Sequence, residues 1–322
     1  MDRSRIISLL DPEWTRMTGL MRQSLSSCVP LLDKTNCSIM DNMGKMLRPM
    51  LSLLMARACG KPDEDSIRFA AASEMLHNAT LMHDDVTDGS LERRGRPSVM
   101  SLLGSGAAVL IGDFWLSKAV ELISSSGNRD DVMKLFSKTL SDLAEGEILQ
   151  MEKAGTADTS EEDYLRIIYC KTASLFEATC VLGAISAGGC QKYIDAARSY
   201  AANAGIAFQI KDDILDYAGN ESLGKPVGVD VAEQKITLPL LEALKSSDRV
   251  EEVRGMIRNI RNHPDYCSKV RSFVYDNHGI EKAAVRLDGF ISRAEEALVP
   301  LPASVEKDML VELVRYNAFR RV

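Results

Sequence analysis

The chain has 322 residues, 45% of them hydrophobic and 26% charged, with a formal net charge of −7. That acidic balance argues against nucleic acid or an anionic membrane as the main partner, and no window supplies the roughly 18 uninterrupted apolar residues of a membrane span. Seven cysteines without CxxC pairs or histidine-linked zinc spacing fit small buried residues of a reducing cytosol, so we expect a cytoplasmic protein with no stable membrane insertion.

Apolar residues recur at helical spacing from end to end, and strand alternation is nearly absent. The first predicted helix covers about 5–25; Asp2, Arg3, Arg5, Asp11 and Glu13 set this stretch apart from a signal peptide. A second, 44–59, opens on Met43-Gly44-Lys45-Met46-Leu47-Arg48-Pro49, placing Lys45 and Arg48 at a helix start, a position suited to an anion. A third, 64–90, carries Asp84-Asp85-Val86-Thr87-Asp88, and Arg93, Arg94 and Arg96 follow it directly. Helices over 97–125, 129–152, 161–188 and 191–218 come next, the last carrying Asp212-Asp213-Ile214-Leu215-Asp216. Shorter ones are predicted near 236–246, 249–260, 264–278, 280–298 and 303–317. Breaks fall at 60–63, 95–97, 124–128 and 155–160, where turn-forming residues cluster. Ala178 to Cys190 and Ala201 to Ala207 are rich in small residues, which lets helix axes pack closely. With no flexible linker and no repeat, residues 1–322 read as one all-α domain around a central bundle.

The two acidic motifs lie 128 residues apart and share the pattern Asp-Asp-x-x-Asp. Residues four apart stack on one helix face, so Asp84 and Asp88 share a face, as do Asp212 and Asp216. Stacked carboxylates repel, and a hard divalent cation removes the penalty; Mg²⁺ takes one or two carboxylates and fills its other positions with water and substrate phosphates. A lone motif of this kind is more often a solvated acidic face. Here Met75-Leu76, Leu81-Met82, Ala207-Phe208 and Ile210 flank the motifs, and carboxylates directed out of buried helices are costly unless paired or metal-bound. Two such clusters suggest an enzyme that holds a diphosphate between metal ions. Local positive charge is available in Lys45 with Arg48, in Arg93, Arg94 and Arg96, and in Lys171, Lys225 and Lys235. Arginine's planar fork suits phosphate oxygens.

In order along the chain stand GKMLRP, Glu74 through Asp88 with His77 and His83, Arg93-Arg94-Gly95, Gly112-Asp113-Phe114, Gly146-Glu147 with Gln150, Lys171-Thr172, and Gln209 through Asp216 with Lys225 and Lys235. Through these motifs, over about residues 40–240, the chain resembles the trans-polyprenyl diphosphate synthases, which extend allylic diphosphates with isopentenyl diphosphate. Its first motif departs from the usual GGKRLRP at Met43 and Met46, which makes that site less basic, and Gly89 stands where an acidic residue is common. The resemblance implies a large helical bundle of the isoprenoid synthase type with a central cavity, Mg²⁺ as cofactor, and a homodimer. It implies that Asp84, Asp88 and Asp212 bind the metal, with Asp85, Asp213 and Asp216 in supporting roles. Arg93, Lys171, Lys225 and Lys235 would grip the allylic diphosphate, and Thr172 and Gln209 would face its cation. Lys45, Arg48, His77 and Arg94 would bind isopentenyl diphosphate, and the Gly-rich loop 219–230 is a candidate lid. A terpene cyclase lacks the second substrate motif, and a non-catalytic partner subunit typically loses the Asp motifs. In the family a bulky aromatic five residues before the first motif stops growth at short products. This chain has Ala79, beside Thr80, with Leu76 a further turn down. That favours a long product, octaprenyl or above, such as a quinone side chain. A deeper floor from Trp115, Leu116 or Met133 would favour geranylgeranyl or farnesyl diphosphate instead.

Overall fold

The structure is a computed structural model that describes residues 3–127, 129–218 and 228–319. Among the described residues it is all-α apart from one hairpin of two two-residue strands, as the apolar spacing predicted. Its apolar core is a contiguous cluster reaching from Ile6 to Val314.

The first predicted helix is two, α1 (Arg3–Leu9) and α2 (Asp11–Ser24). Pro12 explains the break: it fits the first turn of a new helix and cannot continue an old one. A helix absent from the sequence reading, α3 (Pro30–Asp41), follows, with proline again in its first turn. α4 (Leu47–Cys59) starts later than expected, because Met46 adopts a left-handed conformation at its N-cap. Lys45 therefore precedes the helix, and Arg48 lies in its first turn. α5 (Glu64–Thr87) starts on a capping box in which the Asp63 side chain accepts from the Ser66 amide at 3.0 Å while the Ser66 hydroxyl accepts from the Asp63 amide. Beyond it, β1 (Glu92–Arg93) and β2 (Arg96–Pro97) form an antiparallel hairpin. Its turn residues, Arg94 and Gly95, both have positive φ, the conformation that a two-residue hairpin favours. The predicted helix 97–125 is cut by Gly104, at φ 87°, into α6 (Val99–Leu103) and α7 (Ser105–Ser124).

α8 (Arg129–Thr156) runs past α9 (Glu161–Ile168), a π-helical segment (Tyr169–Ala173) and α10 (Ser174–Ser186). By length and composition, Glu161–Ser186 could cross a membrane, but 83% of its apolar window is buried within the molecule, as in a core helix. α10 packs against α4, α5, α8 and α11 (Gln191–Ala218), and so lies between the helices that carry the two acidic motifs. The π segment is clamped from both sides at glycines. A Cβ on Gly146 would meet the Cys170 Cβ at 2.6 Å, and one on Gly205 would meet the Ala173 Cα at 2.6 Å. The remaining helices are α12 (Val229–Ala232), α13 (Leu238–Leu244), α14 (Val250–Arg258), α15 (Tyr266–Asp276), α16 (Gly279–Ala297) and α17 (Val305–Phe319).

Candidate active site

The C-terminal end of α5 and the C-terminal half of α11 converge on one polar mouth. Asp84 is half-buried, and burial together with the nearby Glu147 and Asp88 carboxylates pushes its pKa up to about 6, although Lys171 opposes the shift. Asp88 is raised by burial and held back by Lys235. Lys235 also acts on Asp230, whose pKa is pushed up to about 7 by burial and Asp216. Lys171 and Lys235 thus stand between the acidic ends of the two helices. Each is already paired: Lys171 Nζ lies 2.5 Å from Glu147 and Lys235 Nζ lies 2.5 Å from Glu233.

The other aspartates have structural partners. Asp85 is buried and takes a 2.7 Å hydrogen bond from Arg93 Nε. Asp213, also buried, accepts from the Tyr164 hydroxyl at 2.6 Å and from Gln209 Nε2 at 2.9 Å. Asp216 accepts from the backbone amides of Val229 and Asp230 at 3.1 and 3.2 Å, fastening the start of α12 to the end of α11. Among the described residues the Asp84 and Asp88 carboxylates take no hydrogen bond, and Asp212 lies close enough to Asp213 and Asp230 to raise the pKa of both. The donor set fits a hard cation. Asp84 gives two oxygens in a place where neighbouring carboxylates raise the cost of its charge, and a cation would lower that cost. Among the described residues no group of three His, Cys, Asp or Glu side chains is placed to hold a metal ion by itself.

A cavity of about 490 Å³ is lined by Lys45, Arg48, His77 and Arg94, the four residues expected to act together, with Arg3, Glu74 and Tyr316 beside them. Burial and Glu74, Arg48 and Arg94 define its electrostatics. Burial lowers the Arg48 pKa to about 10 even though Glu74 favours its charge. His77 is driven well below its usual range by burial and by Arg48 and Arg94, so it stays neutral at pH 7 and accepts or donates without adding charge. Arg48 Nε and Glu74 Oε2 are buried without a hydrogen-bond partner among the described residues. An anion with several oxygens would give that arginine its missing acceptor.

A second cavity, about 370 Å³, begins at Asp84, His83 and Lys171 and runs down past Thr80, Ala79 and Leu76. Leu116, Leu140 and Leu143 line it too, with Thr87, Ala144 and Glu147. Among the described residues lining it there is no Phe, Tyr or Trp. Trp115 points elsewhere: it is buried and donates its indole N–H to Asn36 at 2.9 Å. Of the three suggested deeper stops only Leu116 is in the wall, and Met133 packs against the core. Thr172 donates to Gln209 Oε1 at 3.0 Å, and both stand at the junction of the π segment with α11. Lys225 and most of loop 219–230 lie outside the described residues.

Several residues that matter here had no assigned role in the sequence reading. Glu147 stands in a motif noted there, and its pairing with Lys171 is visible only in three dimensions. Asp230 and Glu233 are ordinary acids in the chain, five and two residues before Lys235. Tyr164 and Tyr316 come from α9 and α17 and carry no local signal; Lys45 sits 5.9 Å over the Tyr316 ring.

Residues 29–274 match the family described as polyprenyl synthetase. An octaprenyl diphosphate synthase of Haemophilus influenzae is 34% identical over 99% of this chain and 98% of its own. A short chain isoprenyl diphosphate synthase of Methanothermobacter thermautotrophicus is 38% identical over 92% of this chain and 93% of its own. The crystal structure of a polyprenyl synthase from Caulobacter crescentus, complexed with calcium and isoprenyl diphosphate, superposes with a TM-score of 0.91 at 33% identity, covering 100% of this chain and 98% of that one.

Proposed function

The chain belongs to the polyprenyl synthetase family, and from that premise we propose that it is a long-chain all-trans prenyltransferase, condensing isopentenyl diphosphate with an allylic diphosphate. The observation that carries this reading is the pair of cavities. One, ringed by Lys45, Arg48, His77 and Arg94, offers cations to a diphosphate. The other leads from Asp84 down an apolar channel along α5.

Asp84, Asp88 and Asp212 would hold Mg²⁺. Bound there, the ion would neutralise charge that builds on the leaving diphosphate. Lys171 and Lys235 add fixed positive charge at the same mouth, with Arg93 alongside, held by Asp85. Asp85, Asp213 and Asp216 orient neighbouring groups instead of ligating, which fits the supporting part expected of them. In the other cavity, Arg48 and Arg94 with Lys45 and neutral His77 would orient isopentenyl diphosphate, so that its double bond faces the allylic carbon. The growing chain would descend past Thr80, Ala79 and Leu76. Because no ring closes the wall at Ala79, growth would continue to octaprenyl length or beyond, a tail suited to a quinone; Leu116 is the residue placed to act as a deeper stop. The relatives of both lengths make the short geranylgeranyl or farnesyl product the alternative. A non-catalytic subunit is disfavoured by the intact acidic mouth. We treat residues 1–322 as one domain on the strength of the contiguous core, and propose a cytoplasmic homodimer.

The test is incubation with labelled isopentenyl diphosphate and farnesyl diphosphate in Mg²⁺, with chain lengths read by mass spectrometry. We expect octaprenyl or longer diphosphates and no product with EDTA. Absence of elongation across allylic primers would overturn the reaction, and a geranylgeranyl end product would overturn the length.

A further inference from the structure

Resting on that reading, we propose that Tyr164 is a positioning residue for the prenyl transfer: through Asp213 it fixes the Gln209 amide and the Thr172 hydroxyl beside the reacting allylic carbon. A continuous chain of hydrogen bonds joins three separate stretches of sequence. The Tyr164 hydroxyl on α9 donates to Asp213 Oδ2 on α11 at 2.6 Å. Gln209 Nε2, one turn earlier on α11, donates to Asp213 Oδ1 at 2.9 Å. Thr172, in the π segment, donates to Gln209 Oε1 at 3.0 Å.

The geometry gives this chain one sense: Asp213 accepts from both the Tyr164 hydroxyl and the Gln209 NH₂, which turns the Gln209 carbonyl towards Thr172. That carbonyl then takes the one hydroxyl proton of Thr172. The Thr172 oxygen is left with its lone pairs and no proton to give, the orientation that favours a neighbouring positive charge. Tyr164 matters because a carboxylate at the end of one torsion can turn. With Oδ2 held by the phenol, Oδ1 stays on Gln209, and the sense of every later hydrogen bond follows. Tyr164, Asp213 and Thr172 are all buried, and buried polar networks act as a unit.

The local structure supports the same purpose. Continuing α9 as an α-helix would rotate Thr172 relative to α11; the π turn at Tyr169–Ala173 sets that angle instead, and π turns often mark functional sites. Gly146 and Gly205 let α8 and α11 close on this segment. Tyr164, Gln209, Asp213 and Lys171 line one cavity behind the mouth, about 150 Å³, so the hydrogen-bonded groups and Lys171 face a common space.

The experiment is a double-mutant cycle on the full-length enzyme. Tyr164→Phe, Gln209→Ala and the pair are assayed for kcat and for the KM of each diphosphate, with thermal melts run beside them. We expect Tyr164→Phe to lower kcat by about tenfold with both KM values within about twofold, because the hydroxyl touches neither diphosphate. The double variant should match Gln209→Ala, since the phenol acts through that amide. Multiplicative losses, or a loss confined to KM, would overturn the proposal. If Tyr164→Phe does not fold, the cycle is run with Asp213→Asn, which still accepts from the phenol but turns an NH₂ toward Gln209. There too a positioning role gives non-additivity with Gln209→Ala, whereas an independent role multiplies. A wild-type enzyme that elongates no prenyl chain refutes the functional reading itself, and is distinct from either outcome.

Discussion

Asp84 sits where its own charge is costly. Burial and the Glu147 and Asp88 carboxylates hold its pKa near 6, above the ordinary carboxylate value of 3.8. A carboxyl whose folded pKa is raised contributes stability that is complete below the ordinary value and is lost as pH climbs through about 6. Metal-free Asp84→Asn should therefore melt a few degrees above wild type at pH about 7, from about 1–2 kcal/mol after discounting for solvent. The two should melt together near pH about 4. Equal melting at both values would show that Asp84 bears no such penalty. The same carboxylate is needed for turnover. Asp84→Ala and Asp212→Ala should each lower kcat by about a hundredfold or more, because the charge they help to stabilise appears only as the C–O bond breaks. Arg48→Ala should instead raise the KM for isopentenyl diphosphate, by about tenfold or more, through loss of a charge-assisted phosphate contact. Weakening of the allylic substrate alone in that variant would reverse our assignment of the two cavities.

Helix α5 does three jobs along its length. Its C-terminal end presents Asp84 and Asp88, its middle lines the channel with Thr80, Ala79 and Leu76, and His77 and Glu74 face the other cavity. The helical period makes this possible: successive turns repeat one face every three to four residues, so the faces of one helix serve two cavities at once. Ala79 is buried and lies one turn and a little more below Asp84, about 7.5 Å along the axis. Ala79→Tyr should fill the channel there and shorten the product towards farnesyl or geranylgeranyl diphosphate, while the metal requirement is unchanged. Product profiles from the variant and wild type, compared by mass spectrometry, decide this. Identical profiles would mean that the prenyl chain does not pass residue 79.

At the scale of the whole molecule, α10 holds the arrangement together. Nearly all of its residues are buried, and it separates α5 from α11 by one helix, which sets the width of the mouth. Exposed apolar side chains remain on other helices. Val109 and Leu110 on α7, and Ile148 and Met151 on α8, are among the exposed apolar side chains. Such surface suits a second copy of the chain. We expect light scattering to give the mass of a dimer at micromolar concentration. A stable monomer there would contradict the homodimer.

The sequence alone was enough for the fold class, and it named the acidic and basic residues that the proposed mouth is built from. Helical spacing is a local property, so α11 and the all-α architecture could be read directly, and Asp-Asp-x-x-Asp placed carboxylates on one face before any packing was known. Boundaries set by single backbone conformations were not legible: Met46, left-handed at the start of α4, and Gly104, between α6 and α7, shifted or split elements that periodicity ran together. Only the tertiary structure decided that three of the aspartates are tied to other elements, since Tyr164, Arg93 and the Val229 and Asp230 amides reach Asp213, Asp85 and Asp216. It also decided that Trp115 turns towards Asn36 and away from the channel, and that Lys45 meets Tyr316 from the far end of the chain. The reason is physical. A helix face follows from spacing along the chain, whereas a partner is chosen by packing between segments that the sequence keeps far apart.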